Sequence, residues 1–229
     1  MISIKYWALS RCGTRAENED ACLIPNAGLI AEDTLESGSC ILSGNGEIFA
    51  IADGVGGGPD GKLAAITALQ NLAAEKMINN DVSHLEKRLK TADSAVQKLR
   101  SERGRPATTV AGLSVSIKTT HVFNLGDTRV YDLSDRGILT EDHRSTLNRS
   151  AITRFLGGGP AQAVSKISTL QTTPRKLLIC SDGLYNFVST ATLALLTDRD
   201  PGSELPRLFD AAEGYGSNDN MTAIFCEID

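Results

Sequence analysis

Two apolar segments that each end in aspartate constrain the fold of this chain more than any other feature. Residues 48–52 run directly into Asp53. Residues 177–181 run into Asp182 in the same way, and a glycine follows each aspartate. Short continuous apolar runs of this kind are typical of strands buried on both faces. One Asp-Gly pair is most simply a turn, but two buried strands with the same ending are expected to converge and bring their carboxylates together.

The rest of the pattern predicts strands in two groups with a pair of helices between them. Residues 62–78 are rich in Ala and Leu, and residues 82–99 carry apolar side chains at spacings of three and four, with Asp81 as the N-cap. The dipeptide Gly126-Asp127, set between apolar segments, predicts a hairpin tip. No repeat or linker interrupts the chain, so we expect one domain over residues 1–229, an α+β sandwich of mostly antiparallel sheets.

Composition excludes several functional classes. The chain of 229 residues has a net charge of -5 and only 5% aromatic residues, which excludes nucleic-acid binding by charge or by base stacking. Its five cysteines are scattered without a C-x-x-C pair, as expected of free thiols in a reducing cytoplasm. We expect no membrane association, because neither a signal peptide nor an apolar run of spanning length is present.

Acidic residues recur beside the other predicted strands. They are Glu19, Asp20, Asp127 and Asp219. Carboxylates gathered at strand ends repel one another and lose hydration, so they need cations nearby. Basic candidates are few, chiefly Arg15 and Arg129. Metal ions are the alternative, and a ligand set made only of oxygens selects Mg²⁺ or Mn²⁺.

A site in which one carboxylate bridges two such cations is typical of a phosphoester hydrolase. An arginine beside it can hold a phosphate through two hydrogen bonds. No nucleophilic side chain is required. Cys180 lies near Asp182 but inside an apolar run, which predicts an inert buried thiol.

Eight motifs in a fixed order resemble those of the metal-dependent type-2C protein Ser/Thr phosphatases (the PPM family) in their bacterial form. They are GTRAENEDA (13–21), ADGVGG (52–57), TT (108–109), NLGDTRVY (124–131), LTEDH (139–143), ITRFLG (152–157), LLICSDGL (177–184) and GSNDNMT (216–222). Each motif alone is weak. Eight of them in family order over nearly the whole chain are highly specific.

The resemblance implies a β-sandwich flanked by helix pairs, in α-β-β-α order, with two Mn²⁺ or Mg²⁺ ions at one end. Asp53 is expected to bridge the ions, and the Gly54 carbonyl to touch one of them. The other implied ligands are Asp182 and Asp219 on the first ion, Glu19 on the second, Asp20 through water, and Asp127 with Asp182 on a third ion. Arg15 is expected to bind the substrate phosphate, and Asn220 to orient Asp219. Thr108 and Thr109 are expected only to begin a strand.

The implied reaction is hydrolysis of phosphoserine or phosphothreonine in one step by a metal-bridging hydroxide, without a phosphoenzyme. The resemblance also implies phosphorylated protein substrates, an opposing Ser/Thr kinase, and a monomer. Two alternatives stay open, namely a pseudophosphatase that acts as a binding module and a hydrolase of small phosphoesters. The complete carboxylate set argues against the first.

Two departures from the family pattern bear on mechanism. Val55 stands where eukaryotic members have a histidine proposed as general acid, as is usual in bacterial members, so a metal-bound water or His143 is left to supply the proton. Only residues 144–151 separate His143 from Ile152, where relatives carry a substantial flap. The sequence therefore predicts a short flap and an open, shallow site.

Overall fold

Two antiparallel sheets form the centre of the molecule. The computed structural model describes residues 2–55, 59–74, 77–99, 105–135, 137–147, 151–158 and 166–229. The first sheet contains, in spatial order, β10 (Gly137–Ile138), β9 (Arg129–Asp132), β12 (Arg175–Cys180), β13 (Met221–Ile228), β1 (Ser3–Arg11) and β4 (Thr34–Ile41). The second contains β11 (Lys166–Gln171), β8 (Thr119–Leu125), β7 (Val110–Val115), β5 (Glu47–Val55), β2 (Asp20–Ile24) and β3 (Gly28–Ile30), with β6 (Ala107–Thr108) paired to the end of β5.

Helices cover the outer face of each sheet. The second sheet packs against α1 (Pro59–Ala73) and α2 (Val82–Lys98). The first sheet packs against α3 (Asp182–Tyr185), α4 (Thr190–Leu193), a 3₁₀ turn (Ala194–Thr197) and α5 (Pro201–Gly214). The layers are therefore α-β-β-α, as the sequence predicts. None of the described helices is both long and apolar enough to cross a membrane.

The two apolar runs ending in aspartate are strands buried on both faces, as predicted. In β5, Ala50 and Ala52 face the helices while Phe49 and Ile51 face the other sheet. In β12, alternate residues likewise divide between the core that joins the sheets and the core beneath α5. Burial of each large side chain contributes roughly 1.5–3 kcal/mol. Both strands are thus fixed in register, and their ends can hold polar groups in defined positions.

The helical pair follows its sequence pattern with one difference in length. The apolar stripe of α2 is buried, and the Asp81 carboxylate accepts a hydrogen bond from the Ser83 backbone N–H, as expected of the N-cap. The first helix begins at Pro59 and ends at Ala73, five residues before the predicted end. Downstream, Asn80 has a left-handed backbone (φ 44°), which is incompatible with a continuing helix. Its side-chain Nδ2 donates to the carbonyls of Ser114 and Thr119 on either side of the β7–β8 turn.

The predicted hairpin at Gly126-Asp127 is wrong. Strand β8 belongs to the second sheet and β9 to the first, so the connection between them crosses from one sheet to the other. Gly126 permits the crossing because its φ is +106° and a Cβ would lie 2.6 Å from the Thr109 side chain. As a result, Asp127 lies between the two sheets rather than at an outer tip. Gly56 and Gly57, the last two residues of the motif at 52–57, lie outside the described residues.

Candidate active site

One end of the sandwich holds a cavity of about 220 Å³. Its lining consists of Arg15, Glu19, Asp53, Gly54, Val55, Asp127, Arg144, Ile152, Asp182, Asp219 and Asn220. The structure thus brings together every site residue predicted from the sequence except Asp20. It adds three residues, Val55, Arg144 and Ile152; Arg144 is the first residue of the segment 144–151, and Ile152 directly follows that segment.

Asp53, near the end of β5, is the carboxylate of the cavity whose charged form is most strongly disfavoured. Burial raises its pKa well above the usual value, and the charges of neighbouring aspartates raise it further. Asp20 lies directly opposite Asp53 in the β2–β5 ladder, fully buried, and accepts a 2.8 Å hydrogen bond from Ser181 Oγ. Burial raises the pKa of Asp20 to about 7. Among the described residues neither carboxylate has an ion pair with a basic side chain, and a bound cation would supply the compensating charge.

Two threonines hold the backbone of Asp53 in place. The Thr109 N–H donates to the Asp53 carbonyl over 2.8 Å, and the Asp53 N–H donates to Thr109 Oγ1 over 3.1 Å. Thr108 Oγ1 donates to the same carbonyl over 2.9 Å. Thr109 is in turn joined to Thr128 by a 2.7 Å hydroxyl contact. The threonine pair therefore does more than begin a strand, because it fixes the position of the central carboxylate.

Arg15 and Asp219 form the exposed side of the cavity. Arg15 Nη2 donates to Asp219 Oδ2 over 2.9 Å and Nε donates to the Asn218 carbonyl over 3.2 Å. Gly13 allows the loop that carries Arg15 to pass close to Asp219, since its φ is +64° and a Cβ there would clash with the Asp219 carbonyl. The side chains of Arg15 and Asp219 are 45% and 40% exposed. The guanidinium is therefore placed where an incoming anion can reach it.

Asn220 orients the chain around Glu19 through its side chain, in addition to the expected link to Asp219. Its Oδ1 accepts from the Glu19 N–H over 2.9 Å, and its Nδ2 donates to the carbonyls of Cys12 and Glu17. The expected link to Asp219 is made by the Asn220 backbone N–H, which donates to Asp219 Oδ1 over 2.9 Å. The Asn220 carboxamide is engaged instead with the loop that carries Glu19.

Arg144 is the functional candidate that sequence reasoning missed. Its Nη2 lies 2.7 Å from Asp127 Oδ2 and 3.1 Å from Asp182 Oδ2. The available signal was its place directly after the Asp-His pair of a quoted motif. Arg129, which seemed a better candidate, instead binds both oxygens of Asp142 and lies 3.8 Å above the Tyr185 ring. Arg129 therefore stabilises Asp142 and Tyr185, which pack against the residues that line the cavity.

Asp127 carries the clearest mark of an incomplete coordination environment. Its side chain is 6% exposed, and among the described residues Oδ1 has no hydrogen-bond partner. Burial raises the pKa of Asp127 to about 6. By contrast, His143 Nδ1 accepts a 3.1 Å hydrogen bond from the Gly126 N–H, and burial lowers the His143 pKa. This contact occupies Nδ1, one of the two ring nitrogens, and His143 is not among the residues that line the cavity.

The donor set suits hard cations. Five carboxylates and the Gly54 backbone line one small cavity, and such ions take oxygen ligands. In the part of the chain that the structure describes, no three acidic, histidine or cysteine side chains converge tightly enough to enclose an ion by themselves. This is compatible with Mg²⁺-type binding, which uses one or two carboxylates and retains several waters.

Comparisons with known proteins place this fold and cavity in a family. The family model for protein phosphatase 2C matches residues 26–225. The serine/threonine phosphatase Stp of Listeria monocytogenes is 29% identical, with 81% of this chain and 86% of that protein covered. The structure of the Mycobacterium tuberculosis serine/threonine phosphatase PstP superposes with a TM-score of 0.78 at 23% identity, covering 98% of each chain. A catalytic domain of PstP in complex with two manganese ions gives 0.78 at 22% identity, covering 100% of this chain and 99% of that one.

The chain belongs to the protein phosphatase 2C family. The family resemblance, the sandwich fold and the class of enzyme predicted from the sequence are therefore confirmed. The match begins after Arg15, Glu19 and Asp20, so the placement of Arg15 and Glu19 in the cavity, and of Asp20 beside Asp53, rests on the geometry described above.

Proposed function

We propose that this protein hydrolyses phosphoserine and phosphothreonine in proteins, using Mn²⁺ or Mg²⁺. The observation that carries the proposal is one cavity in which carboxylates from separate strands and loops converge beside an exposed arginine. Two comparisons support it. The curated relatives are serine/threonine phosphatases, and a structural neighbour of 22% identity binds two manganese ions.

Different residues of the cavity would bind each of the two cations. Asp53 would be the ligand that both ions share and Gly54 would contribute its carbonyl, while Thr108 and Thr109 hold the Asp53 backbone through hydrogen bonds. Asp182 and Asp219 would complete one position and Glu19 the other, with Asp20 acting through water from behind. When bound, such a pair lowers the pKa of water and neutralises the charge that develops during in-line phosphoryl displacement.

Arg15 would receive the phosphate group. Its present partner, Asp219 Oδ2, is a carboxylate that the proposal also assigns to a cation. A cation on Asp219 would weaken that ion pair and leave the guanidinium available to an incoming phosphate. Arginine suits this role because its planar donors match two phosphate oxygens at once.

The wider setting follows from the same assignment. A protein phosphatase of this kind would act on phosphoproteins made by a Ser/Thr kinase, and we propose that it does so as a monomer. All five cysteines are free thiols, which supports a reducing, cytoplasmic environment.

Hydrolysis of a phosphothreonine peptide with and without Mn²⁺ tests the proposal. We expect turnover with Mn²⁺, loss of turnover in chelator, and loss of turnover in Asp53→Asn. Asp210→Asn, whose exposed carboxylate pairs with Arg11 on the surface, is the matched control and should retain full activity.

Two results would redirect the assignment. A higher kcat/KM on p-nitrophenyl phosphate than on the phosphopeptide would favour a small-phosphoester hydrolase. Binding of the phosphopeptide without turnover in Mn²⁺ would favour a pseudophosphatase.

A further inference from the structure

We propose that Arg144 is a built-in cation at the Asp127–Asp182 pair and keeps a further divalent ion from binding there. The inference rests on the proposed function, since it concerns how many metal ions the same cavity accepts. It revises the expectation of a third ion at these two aspartates.

The guanidinium is held at the pair by several contacts at once. Nη2 lies within hydrogen-bond distance of Asp127 Oδ2, Asp182 Oδ2 and Tyr185 Oη, at 2.7, 3.1 and 3.1 Å. Nε lies 4.0 Å from Asp142 Oδ2. Charged groups on three sides therefore fix the head of Arg144 against the wall that carries both carboxylates.

The wall behind Arg144 is itself rigid. Tyr185 Oη donates to the Asp127 carbonyl over 2.8 Å, and Arg129 stacks on the Tyr185 ring while binding Asp142 through two hydrogen bonds. Bidentate arginine–carboxylate pairs have fixed geometry. The acceptors of Arg144 are thus held in place before it binds them.

The guanidinium disfavours a divalent ion at the pair. An ion that bridged both Oδ2 atoms, with oxygen ligands at about 2.0–2.1 Å, would need the position that Nη2 fills at 2.7 and 3.1 Å from them. An ion that used the remaining oxygens, including the unpartnered Asp127 Oδ1, would lie beside a fixed positive charge and be repelled by it.

The same contacts argue against Arg144 as a phosphate ligand. The hydrogens of Nη2 are directed at carboxylate and phenol oxygens, whereas Arg15 is nearly twice as exposed, 45% against 24% of the side chain. Arg144 is therefore a positioning residue, which fixes Asp127 and Asp182 without touching substrate.

Counting bound Mn²⁺ by native mass spectrometry and titration calorimetry tests the inference without relying on activity. We expect two ions in the wild type and three in Arg144→Gln, with third-site affinity raised ~10-fold or more by removal of the nearby charge. Adding Asp127→Asn to Arg144→Gln should return the count to two. Arg11→Gln, which removes a surface guanidinium paired with Asp210, is the control and should bind two ions.

A second measurement keeps the inference falsifiable if Arg144→Gln does not fold. Asp127→Asn alone should leave the number and affinity of Mn²⁺ ions unchanged, because no ion uses Asp127 in the wild type. A lower count in Asp127→Asn, three ions in the wild type, or identical binding by wild type and Arg144→Gln would each overturn the role of Arg144. These results would leave a Mn²⁺-dependent phosphatase intact, whereas no Mn²⁺ binding by any variant would refute both proposals.

Discussion

Replacing Asp127 by asparagine is expected to stabilise the metal-free protein at alkaline pH. Asp127 is buried between the two sheets, and desolvation raises its pKa from 3.8 to about 6, with Asp182 adding to the effect and Arg144 opposing it. The folded state therefore favours the protonated carboxyl. Asparagine imitates that neutral form in nearly the same volume, so it removes the penalty of ionising a buried group.

The size of the effect follows from proton linkage. A pKa of 3.8 in the unfolded chain against about 6 in the fold corresponds to about 3 kcal/mol once the group is fully ionised. Because the folded state binds the proton more tightly, this stability is present below about pH 4 and is lost as the pH rises through about 6. The variant should exceed the wild type by about 3 kcal/mol at pH 8 and by about half of that at pH 5.

Urea unfolding in the presence of a chelator measures this difference directly. The chelator keeps metal binding from contributing to the free energy of unfolding. Asp210→Asn serves as the control, because its side chain is 65% exposed and should give a small change at both pH values. If Asp127→Asn were less stable than the wild type at pH 8, the ion pair with Arg144 would outweigh burial, and the electrostatic account of the cavity would be wrong.

Three further predictions concern catalysis. Arg15→Ala should mainly raise KM for a phosphopeptide in steady-state kinetics, because the exposed guanidinium is assigned to ground-state phosphate binding; a change confined to kcat would contradict that role. Thr109→Val should lower kcat by ~10–100-fold through loss of the hydrogen bond to the Asp53 N–H, with little change in KM. Asp182→Asn should abolish turnover while its circular dichroism matches the wild type; full activity would refute the metal assignment.

The fold was predictable where burial alone decides structure. Residues 48–52 and 177–180 are apolar on both faces of their strands, and the structure divides each run between two cores. Neither face of such a strand is exposed to solvent, so a short run of apolar residues is sufficient to predict it. The apolar face of α2 predicts its orientation equally well, because an amphipathic helix buries its apolar face against the core.

Elements whose structure depends on distant partners were less predictable. Thr34–Ile41 is polar and lacks the apolar alternation that predicts a strand, yet it is an eight-residue edge strand paired with β1. Its outer face needs no apolar residues, so the usual alternation is absent. Gly126-Asp127 has the composition of a hairpin tip, and only the pairing of β8 and β9 with different sheets makes it a crossing.

The site raised a different difficulty, because its charge balance depends on a residue in the shortened flap. Arg144 and Ile152 form an isolated antiparallel bridge, and both line the cavity. A short flap was expected to leave the site open. The bridge brings Arg144 and Ile152 together against the carboxylates, where the Arg144 side chain is 24% exposed, whereas the Arg15 side chain is 45% exposed. A cavity with several buried carboxylates needs positive charge, and under the proposal made above Arg144 supplies part of it, one unit of charge where a divalent ion would supply two.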